Sequence, residues 1–339
     1  MDGQHLKPIA ILGAGSWGTA IALYLARRGQ RVHLWSFDKS EVDAMLADHA
    51  NNQYLPGNPF PNTIEPMLDL SAAVQGVDDI LMVVPSVGFR STLESVKPHI
   101  APHVRVTCAS KGIDAKTGQL FGELVSEVLG HERIFAVLSG PSFAKEVAAG
   151  LPAAVVIASK NQTAIKELTE RFNSPIFNIH NSDDVIGVEF GGVAKNVIAI
   201  ATGIFDGMEL GSNARSALIT NGLAEIIQLG TALGGKVETF MGLSGLGDLI
   251  LTCSDNQSRN RRLGLALGQG KDIADAEKAI GQAIEGKRNA ELVVQIAKKH
   301  GVSMPISETV WAILQGKVTT KAGVEQLLAR AGNETTVVG

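Results

Sequence analysis

The sequence predicts an α/β fold class: a domain with a parallel-rich sheet over residues 1–190 and an all-α domain over residues 191–339. Two observations lead to this prediction. Up to about residue 190, short apolar runs alternate with segments of helical character, as in a parallel sheet covered by helices on both faces. From about Asp184 onward the strand signals stop and the apolar spacing is helical. The strands are predicted at 9–12, 31–35, 80–84, 104–109, 134–138, 153–158 and 176–179.

The first predicted strand leads into a glycine-rich turn. Gly13, Gly15 and Gly18 lie between the apolar run 9–12 and an Ala/Leu-rich helical segment, 17–28. In a dinucleotide-binding turn these glycines permit a tight turn, close approach to a pyrophosphate, and close packing of helix on strand. The helix N-terminus would point N–H groups at the phosphates. A glycine-rich turn without a ligand is the alternative, but the position between a first strand and a helix favours nucleotide binding.

Composition narrows the classes of partner. The chain has 339 residues, 45% of them hydrophobic, which is enough for two domains with separate cores. A net charge of −4 gives no reason to expect nucleic acid, and no membrane span is expected because no apolar run approaches the roughly 20 residues required. Cys108 and Cys253 suit a reducing cytoplasm without disulfides. His99 and His103 lie beside prolines that break a helix, so no metal site is expected.

The turn after the second predicted strand lies where such folds contact the adenosine ribose. It reads Ser36-Phe37-Asp38-Lys39. Asp38 has two interpretations. It is either an acid that holds the 2′-hydroxyl of NAD, or a cap for the next helix in which Glu41 completes a capping box. These residues alone therefore leave the choice between NAD and NADP open.

Three further turns follow predicted strands, and so they lie at the ligand edge of the sheet. The turn 85–87 can lie along the centre of a cofactor. Lys111, followed by the flexible Gly112, is either a surface lysine or a functional cation, and its position favours a function. In the segment 139–146, small residues let backbone N–H groups face a ligand.

A single lysine lies in an otherwise almost apolar helical segment, 187–203, which also contains Glu189 and Asn196. We expect Lys195 to be buried there, and burial of an ammonium group lowers its pKa toward the range that suits proton transfer. The alternative is a lysine whose ammonium reaches the surface along its own aliphatic chain. The apolar residues on all sides favour burial.

Two polar segments follow in the helical domain. Residues 239–248 are interpreted as a glycine-rich loop that ends at Asp248. The glycines indicate that another group approaches the backbone closely, whereas Asp248 could simply cap the next helix. A basic segment follows Asp248 along the chain. It is interpreted as a phosphate clamp, because a guanidinium fork matches phosphate oxygens, and the alternatives are a solvated turn or a nucleic-acid patch. That segment contains Ser258, Arg259, Asn260, Arg261 and Arg262.

Taken in order, these motifs resemble one family, the bacterial NAD(P)-dependent glycerol-3-phosphate dehydrogenases. The resemblance covers essentially the whole chain, and seven ordered motifs make it far more specific than the glycine-rich turn alone. The motifs are G-A-G-S-W-G-T-A (13–20), S-K-G-I (110–113), S-G-P-S-F-A-K-E-V (139–147), V-A-K-N-V-I-A-I-A-T-G (193–203), L-S-G-L-G-D-L-I-L-T-C (243–253), S-R-N-R-R-L-G (258–264) and E-G (285–286).

The resemblance implies a Rossmann-type N-terminal domain, a helical substrate-binding C-terminal domain, and a cleft between them for dihydroxyacetone phosphate and the nicotinamide. It implies cofactor contacts at Ser16, Trp17, Lys111, Ala144, Arg259, Ala283 and Glu285, in addition to those expected of Gly13, Gly15 and Gly18 in the glycine-rich turn and of Phe37 after the second strand. It implies substrate contacts at Lys111, Gly140, Ser142, Lys195, Asp248, Ser258, Arg259 and Asn260. Lys195 would transfer the proton, Lys111 would stabilise the charge on the oxygen, and Asp248 would keep Lys195 in its ammonium form.

The implied reaction is the reversible reduction of dihydroxyacetone phosphate to sn-glycerol 3-phosphate for phospholipid synthesis, with NADP or NAD as the cofactor. Apart from the resemblance, the two cysteines favour the cytoplasm, and a homodimer is the ordinary expectation for such a protein. The family implies NADPH in the reducing direction, but many members have Arg or His where this chain has Phe37, and Phe37 could only stack on adenine. Two alternatives remain. A β-hydroxyacid dehydrogenase also carries a catalytic lysine on a helix, and an NAD(P)-sensing module would bind the nucleotide without catalysis. A buried Lys195 together with Arg259 argues against a sensor, which needs no proton donor.

Overall fold

The computed structural model describes residues 6–333 of the chain. The chain divides into two compact units, and the boundary falls between Glu189 and Phe190. The first unit contains a single sheet, and the described residues of the second unit form helices and turns.

Eight strands form the sheet: β1 (Ile9–Leu12), β2 (Val32–Trp35), β3 (Ile64–Met67), β4 (Asp79–Met82), β5 (Arg105–Cys108), β6 (Phe135–Ser139), β7 (Ala153–Ser159) and β8 (Phe177–Ser182). Their order is β3-β2-β1-β4-β5-β6-β7-β8, and every neighbouring pair is parallel except β6 and β7. The strand order reverses between β1 and β4. Sheets of this kind bind ligands at the carboxyl ends of the strands beside such a switch point.

Seven of these strands lie where the sequence predicts them, within two residues at most ends, and β3 was missed. Strand β3 is an edge strand of four residues that contains the exposed Glu65 and the proline Pro66. Neither an apolar run nor a clear alternation marks it in the sequence. Proline is tolerated there because an edge strand needs ladder hydrogen bonds on one side only.

Helices cover both faces of the sheet, which confirms the predicted α/β class. One face packs against residues of α1, α2, α6 and α7, and the other packs against residues of α3, α4 and α5, where the rings of Phe89 and Phe121 stack with their centroids 3.8 Å apart. The helices are α1 (Ser16–Arg27), α2 (Lys39–Asp48), α3 (Leu70–Ala73), α4 (Ser86–Val96), α5 (Phe121–Leu129), α6 (Ala144–Ala148) and α7 (Gln162–Phe172).

The second unit confirms the helical C-terminal region that the sequence predicts. A π-helical turn, Leu243–Gly247, precedes α11. The helices are α8 (Val185–Gly207, which begins before the unit boundary), α9 (Gly211–Ala232), α10 (Val237–Met241), α11 (Asp248–Ser254), α12 (Arg259–Gly268), α13 (Ile273–Ile280), α14 (Glu285–His300), α15 (Pro305–Leu314) and α16 (Thr320–Asn333).

Helix α8 is long and apolar enough to cross a membrane by length and composition. The expectation that no apolar run approaches that length was therefore wrong. The core helix of a folded protein passes the same test, because a helix that is apolar all round is buried either by protein or by lipid. In α8, 89% of the most apolar 18-residue window is buried inside the protein.

Four glycines let α8 and α12 pack backbone against backbone. A Cβ atom at Gly203 would lie 2.2 Å from the carbonyl oxygen of Arg261, and one at Gly264 would lie 2.0 Å from that of Ile200. Gly207 and Gly268, one turn further along, make backbone contacts of the same kind. Because no side chain separates the two helices, α12 is held in one register against α8.

Candidate active site

The glycine-rich turn of the first unit has the geometry of a dinucleotide-binding turn. Gly13 has a φ of +120°, and a Cβ atom there would lie 2.8 Å from the carbonyl carbon of Val83. A Cβ atom at Gly18 would lie 1.9 Å from the carbonyl oxygen of Gly13, so only glycine lets α1 begin this close to β1. A Cβ atom at Gly15 would have no neighbour within 4 Å, and no side chain caps α1. The turn therefore offers space and helix N–H groups to a phosphate.

Three of the predicted cofactor residues surround this turn. The Ser16 hydroxyl donates a hydrogen bond of 2.9 Å to the carbonyl oxygen of Tyr54. Trp17 is half-buried and packs against the core of the first unit. Phe37 follows the neighbouring strand β2 and is 77% exposed. Ser16 and Trp17 are thus fixed by the protein, whereas the Phe37 ring is open to a ligand.

Asp38 caps α2, so the structure supports the second of its two interpretations. Its Oδ1 accepts the backbone N–H of Ser40 at 2.8 Å and the Ser40 hydroxyl at 2.6 Å, and these bonds lower the pKa of the Asp38 carboxyl. Glu41 does not complete a capping box. Its carboxylate instead accepts hydrogen bonds from the hydroxyls of Ser36 and Tyr54. Sequence reasoning missed this arrangement because Tyr54 lies 13 residues further along the chain.

The turn that carries Lys111 packs tightly against the turn after β4. The Ser110 hydroxyl donates a hydrogen bond of 2.6 Å to the carbonyl oxygen of Val84. A Cβ atom at Gly112 would lie 2.3 Å from the Cβ atom of Ser86. Gly112 is therefore required by close packing, and the expectation of a flexible glycine was wrong. Lys111 is half-buried at this edge of the sheet.

The turn after β6 contains three of the predicted site residues. Gly140 has a φ of +149°, and a Cβ atom there would lie 2.9 Å from the Cα atom of Val155. The Ser142 hydroxyl donates to the carbonyl oxygen of Gly140 at 3.0 Å, and Ala144 begins α6. Because β5 and β6 are parallel, this turn lies at the same edge of the sheet as the turn that carries Lys111.

In the second unit, Lys195 lies on α8 with only 5% of its surface exposed, so its ammonium does not reach the surface. The ammonium pairs with the carboxylate of Asp248, which is 1% exposed, and donates a hydrogen bond of 2.8 Å to Oγ1 of Thr252. The Thr252 hydroxyl donates to the carbonyl oxygen of Asp248 at 2.6 Å. Sequence reasoning did not identify Thr252, although a residue four positions after Asp248 lies on the same face of a helix.

The expectation of a glycine-rich loop over 239–248 was wrong, because this segment is helical. It contains the end of α10, the π-helical turn and the first residue of α11. A Cβ atom at Gly245 would lie 2.0 Å from the carbonyl oxygen of Phe240. The group that approaches Gly245 closely is therefore the protein's own backbone at Phe240. Asp248, at the start of α11, directs its carboxylate to the lysine.

The fold divides the basic cluster into residues with different surroundings. Ser258 is the N-cap of α12, where its Oγ accepts the backbone N–H of Arg261 at 3.2 Å. Arg261 is buried, its Nε donates to the carbonyl oxygen of Cys253 at 3.0 Å, and its guanidinium pairs with Asp206. Arg261 therefore stabilises the fold. Arg259, the half-buried first residue of α12, is the better candidate for a phosphate clamp.

Asn260 is buried, and both ends of its side-chain amide are used within the protein. Nδ2 donates to Oδ1 of Asn196 at 2.9 Å, and Oδ1 accepts the backbone N–H of Gly286 at 2.9 Å. Ala283 is exposed in the segment before α14, and Glu285 is the first residue of that helix. The Asn260 side chain thus joins α12 to α8 and α14, and its backbone N–H belongs to the first turn of α12.

Among residues 6–333, no group of three or more His, Cys, Asp or Glu side chains could hold a metal ion. Cys108 and Cys253 are buried and form no disulfide. Burial raises the pKa of both thiols, that of Cys253 to about 12. Thiols that stay protonated are poor nucleophiles. Neither thiol is therefore a good candidate for a nucleophile.

Comparison with known proteins identifies relatives of the whole chain. Residues 8–165 match the family model described as NAD-dependent glycerol-3-phosphate dehydrogenase N-terminus, and residues 184–325 match the model of its C-terminus. A glycerol-3-phosphate dehydrogenase (NAD(P)+) of Coxiella burnetii is 52% identical over 324 residues, covering 96% of this chain and 97% of the relative. A protein of the same name from Vibrio cholerae is 47% identical over 327 residues, covering 96% and 95%.

Solved structures give the same result. The crystal structure of glycerol-3-phosphate dehydrogenase from Coxiella burnetii superposes with a TM-score of 0.93 at 52% identity, covering 96% of this chain and 99% of that one. The yeast glycerol-3-phosphate dehydrogenase superposes with a TM-score of 0.80 at 28% identity, covering 94% and 99%. This chain therefore belongs to the NAD-dependent glycerol-3-phosphate dehydrogenase family.

Proposed function

We propose that this protein catalyses the reversible NAD(P)-dependent reduction of dihydroxyacetone phosphate to sn-glycerol 3-phosphate. The observation that carries this proposal is the buried ammonium of Lys195, held by Asp248 and Thr252 in the second unit. A buried ammonium with two oxygen partners is a proton donor that the protein keeps in one place. Neither a nucleotide sensor nor a structural protein needs such a group.

The residues of the glycine-rich turn fit a dinucleotide, because the open space at Gly15 and the uncapped N-terminus of α1 suit a pyrophosphate. When bound, the reduced nicotinamide supplies the hydride. We assign the other cofactor contacts to Phe37, which follows β2, and to the residues that the family resemblance implies: Ser16, Trp17, Lys111, Ala144, Arg259, Ala283 and Glu285.

The N-terminus of α12 suits the phosphate of the substrate. Ser258 caps this helix with its side chain, and the backbone N–H groups of Arg259 and Asn260 belong to its first turn. A helix N-terminus attracts anions, and the Arg259 guanidinium adds a fork that matches phosphate oxygens. Binding of the phosphate there would position the C2 carbonyl, on the central carbon of the three-carbon substrate, for reaction. Lys111, Gly140 and Ser142 complete the proposed set of substrate contacts.

Reduction of the ketone places negative charge on the C2 oxygen, which must receive a proton. We assign the proton transfer to Lys195, whose ammonium gives one N–H proton to this oxygen and becomes a neutral amine. In the reverse direction the amine takes the proton of the C2 hydroxyl. The Asp248 carboxylate favours the ammonium form of Lys195, and the Thr252 oxygen fixes the direction of its N–H groups. Lys111 stabilises the developing charge.

Loss of NADH or NADPH absorbance after addition of dihydroxyacetone phosphate tests the proposal. Lys195→Met alone would remove the ammonium that pairs with the buried Asp248 carboxylate, so the double variant Lys195→Met/Asp248→Asn is also required. Both should lower turnover by roughly 100- to 10,000-fold while the cofactor still binds. The exposed Lys321→Met serves as the control. Near-normal turnover of the double variant would contradict the role of Lys195. Activity on 3-hydroxyacids alone would instead identify a β-hydroxyacid dehydrogenase.

We further propose that the protein acts in the cytoplasm as a homodimer and that its product serves phospholipid synthesis. The buried, unpaired thiols of Cys108 and Cys253 suit a reducing compartment. Two-fold dimers are the commonest oligomers of soluble enzymes. Light scattering should give twice the 35.7 kDa mass of one chain, and the mass of a monomer would contradict the dimer.

A further inference from the structure

The segment from Ser36 to Asp43 lies beside the glycine-rich turn of the first unit. The backbone N–H of Gly13 donates to the carbonyl oxygen of Trp35, the last residue of β2, at 3.0 Å. In dinucleotide-binding folds the residues after β2 contact the adenosine ribose, and they distinguish its 2′-hydroxyl in NAD from the 2′-phosphate in NADP. The chemistry of this segment therefore bears on which of the two cofactors the protein binds.

Glu41 is the centre of a hydrogen-bonded group in this segment. The Ser36 hydroxyl donates to its Oε2 at 2.5 Å, and the Tyr54 hydroxyl donates to its Oε1 at 2.7 Å. Burial and the hydrogen bond to Glu41 raise the pKa of Tyr54 to about 12, so this hydroxyl keeps its proton at neutral pH. Both hydroxyl protons are thus directed to a carboxylate. The remaining lone pairs of that carboxylate can accept hydrogen bonds from ribose hydroxyls.

The charge of the segment is unfavourable for a phosphate. Residues 36–43 contain three carboxylates, Asp38, Glu41 and Asp43, and one ammonium, that of Lys39. The Lys39 ammonium is already paired with Asp43 at 2.5 Å. The first exposed side chain after β2 is the uncharged ring of Phe37. A phosphate monoester carries close to two negative charges at neutral pH and requires cations or directed donors.

We propose that this protein binds NAD(H) in preference to NADP(H), and that Glu41, oriented by Ser36 and Tyr54, is the residue that sets this specificity. The inference rests on the proposed function and makes it more specific. It also differs from the use of NADPH that the family resemblance implies. Glu41 accepts hydrogen bonds from the 2′-hydroxyl side of the ribose and repels a phosphate there, while Phe37 offers a flat apolar surface to the adenine.

The test measures the dissociation constants of NADH and NADPH for the protein without substrate, by quenching of tryptophan fluorescence. Trp17 and Trp35 lie next to the glycine-rich turn and report binding. NADH should bind at least roughly tenfold more tightly than NADPH, since juxtaposed like charges are costly. Glu41→Gln should reduce the ratio of the NADPH dissociation constant to the NADH dissociation constant several-fold. Asp48→Asn removes the same charge from the far end of α2 and should leave the ratio unchanged.

Phe37→Arg is the second variant, and because Phe37 is 77% exposed the substitution should not disturb folding. It should shift the ratio toward NADPH by roughly tenfold or more, because a guanidinium pairs with a phosphate. Equal or tighter binding of NADPH by the natural protein would overturn the inference while leaving the proposed reaction intact. A Glu41→Gln ratio equal to that of the natural protein would overturn the role of Glu41. Failure to bind either nucleotide would overturn both this inference and the proposed function.

Discussion

The side-chain amide of Asn260 donates a hydrogen bond of 2.9 Å to Oδ1 of Asn196, the residue that follows Lys195 on α8. The other end of the same amide accepts the backbone N–H of Gly286 at 2.9 Å. One buried side chain thus connects the phosphate end of the proposed site with the helix that carries the proton donor. Asn260 is therefore expected to position these helices through its side chain.

Asn260→Ala tests that role. The substitution leaves the Gly286 N–H and the Asn196 oxygen without this partner in a buried region, which should cost about 1–3 kcal/mol of unfolding free energy. Movement of α12 should also raise the KM for dihydroxyacetone phosphate more than it lowers kcat. Denaturant unfolding and steady-state kinetics measure the two effects. The exposed Asn213→Ala is the control, and a KM unchanged from the natural protein would refute the positioning role.

Gly203→Ala should disrupt the contact between α8 and α12. Its new methyl group would lie 2.2 Å from the carbonyl oxygen of Arg261, and a backbone atom cannot move aside as a flexible side chain can. We expect a loss of stability of about 1–3 kcal/mol or more, together with weaker substrate binding. Gly88→Ala is the matched control, because its methyl group would meet no atom within 4 Å in α4. If both variants melt at the temperature of the natural protein, the packing argument fails.

Arg259→Met should mainly lower activity, whereas Arg261→Met should mainly lower stability. Arg259→Met should lower kcat/KM by roughly 10- to 100-fold with little change in melting temperature, because it removes a hydrogen bond to a charged phosphate. Arg261→Met should destabilise the protein by about 3 kcal/mol, since it leaves Asp206 without one of its two arginine partners. Kinetics and thermal unfolding of both variants distinguish these roles. Equal effects of the two substitutions on kcat/KM would contradict the division of the cluster.

Glu189 predicts a dependence of stability on pH. Its carboxyl accepts the backbone N–H of Gly122 at 3.1 Å, and burial raises its pKa from the ordinary 4.5 to about 8. A carboxyl with a raised pKa binds its proton more tightly in the folded state. Its contribution to stability is therefore complete below about pH 4.5 and is lost as the pH rises toward 8.

Glu189→Gln should therefore flatten the decline in melting temperature between pH 5 and pH 8, because an amide has no proton to lose in this range. Part of the decline should remain, since burial also raises the pKa of Glu225 to about 7. Glu132→Gln changes an exposed residue and should leave the curve unchanged. An identical pH profile for Glu189→Gln and the natural protein would rule out the ionisation of Glu189 as the cause.

Most of the first unit could be predicted from the sequence because its signals are local. Apolar runs mark seven strands, and the glycine spacing marks the turn after β1. Strand β3 could not be found in this way, since Pro66 and the exposed Glu65 make it look like a loop. The helical segment around Gly245 was missed for a related reason. Its glycines are typical of a loop, and only the neighbouring backbone of Phe240 explains why residue 245 is a glycine within a helical turn.

The sequence by itself determined the fold class, the family and the chemical groups of the site, because side-chain chemistry and local spacing can be read without knowing contacts. The tertiary structure decided which of several similar groups does which task. It showed that Asp38 caps a helix while Glu41 collects two hydroxyls, and that Arg261 is buried while Arg259 stands at the start of α12. It also brought Asp248 to Lys195 across 53 residues of chain. Contacts between such distant segments depend on packing, so no local pattern specifies them.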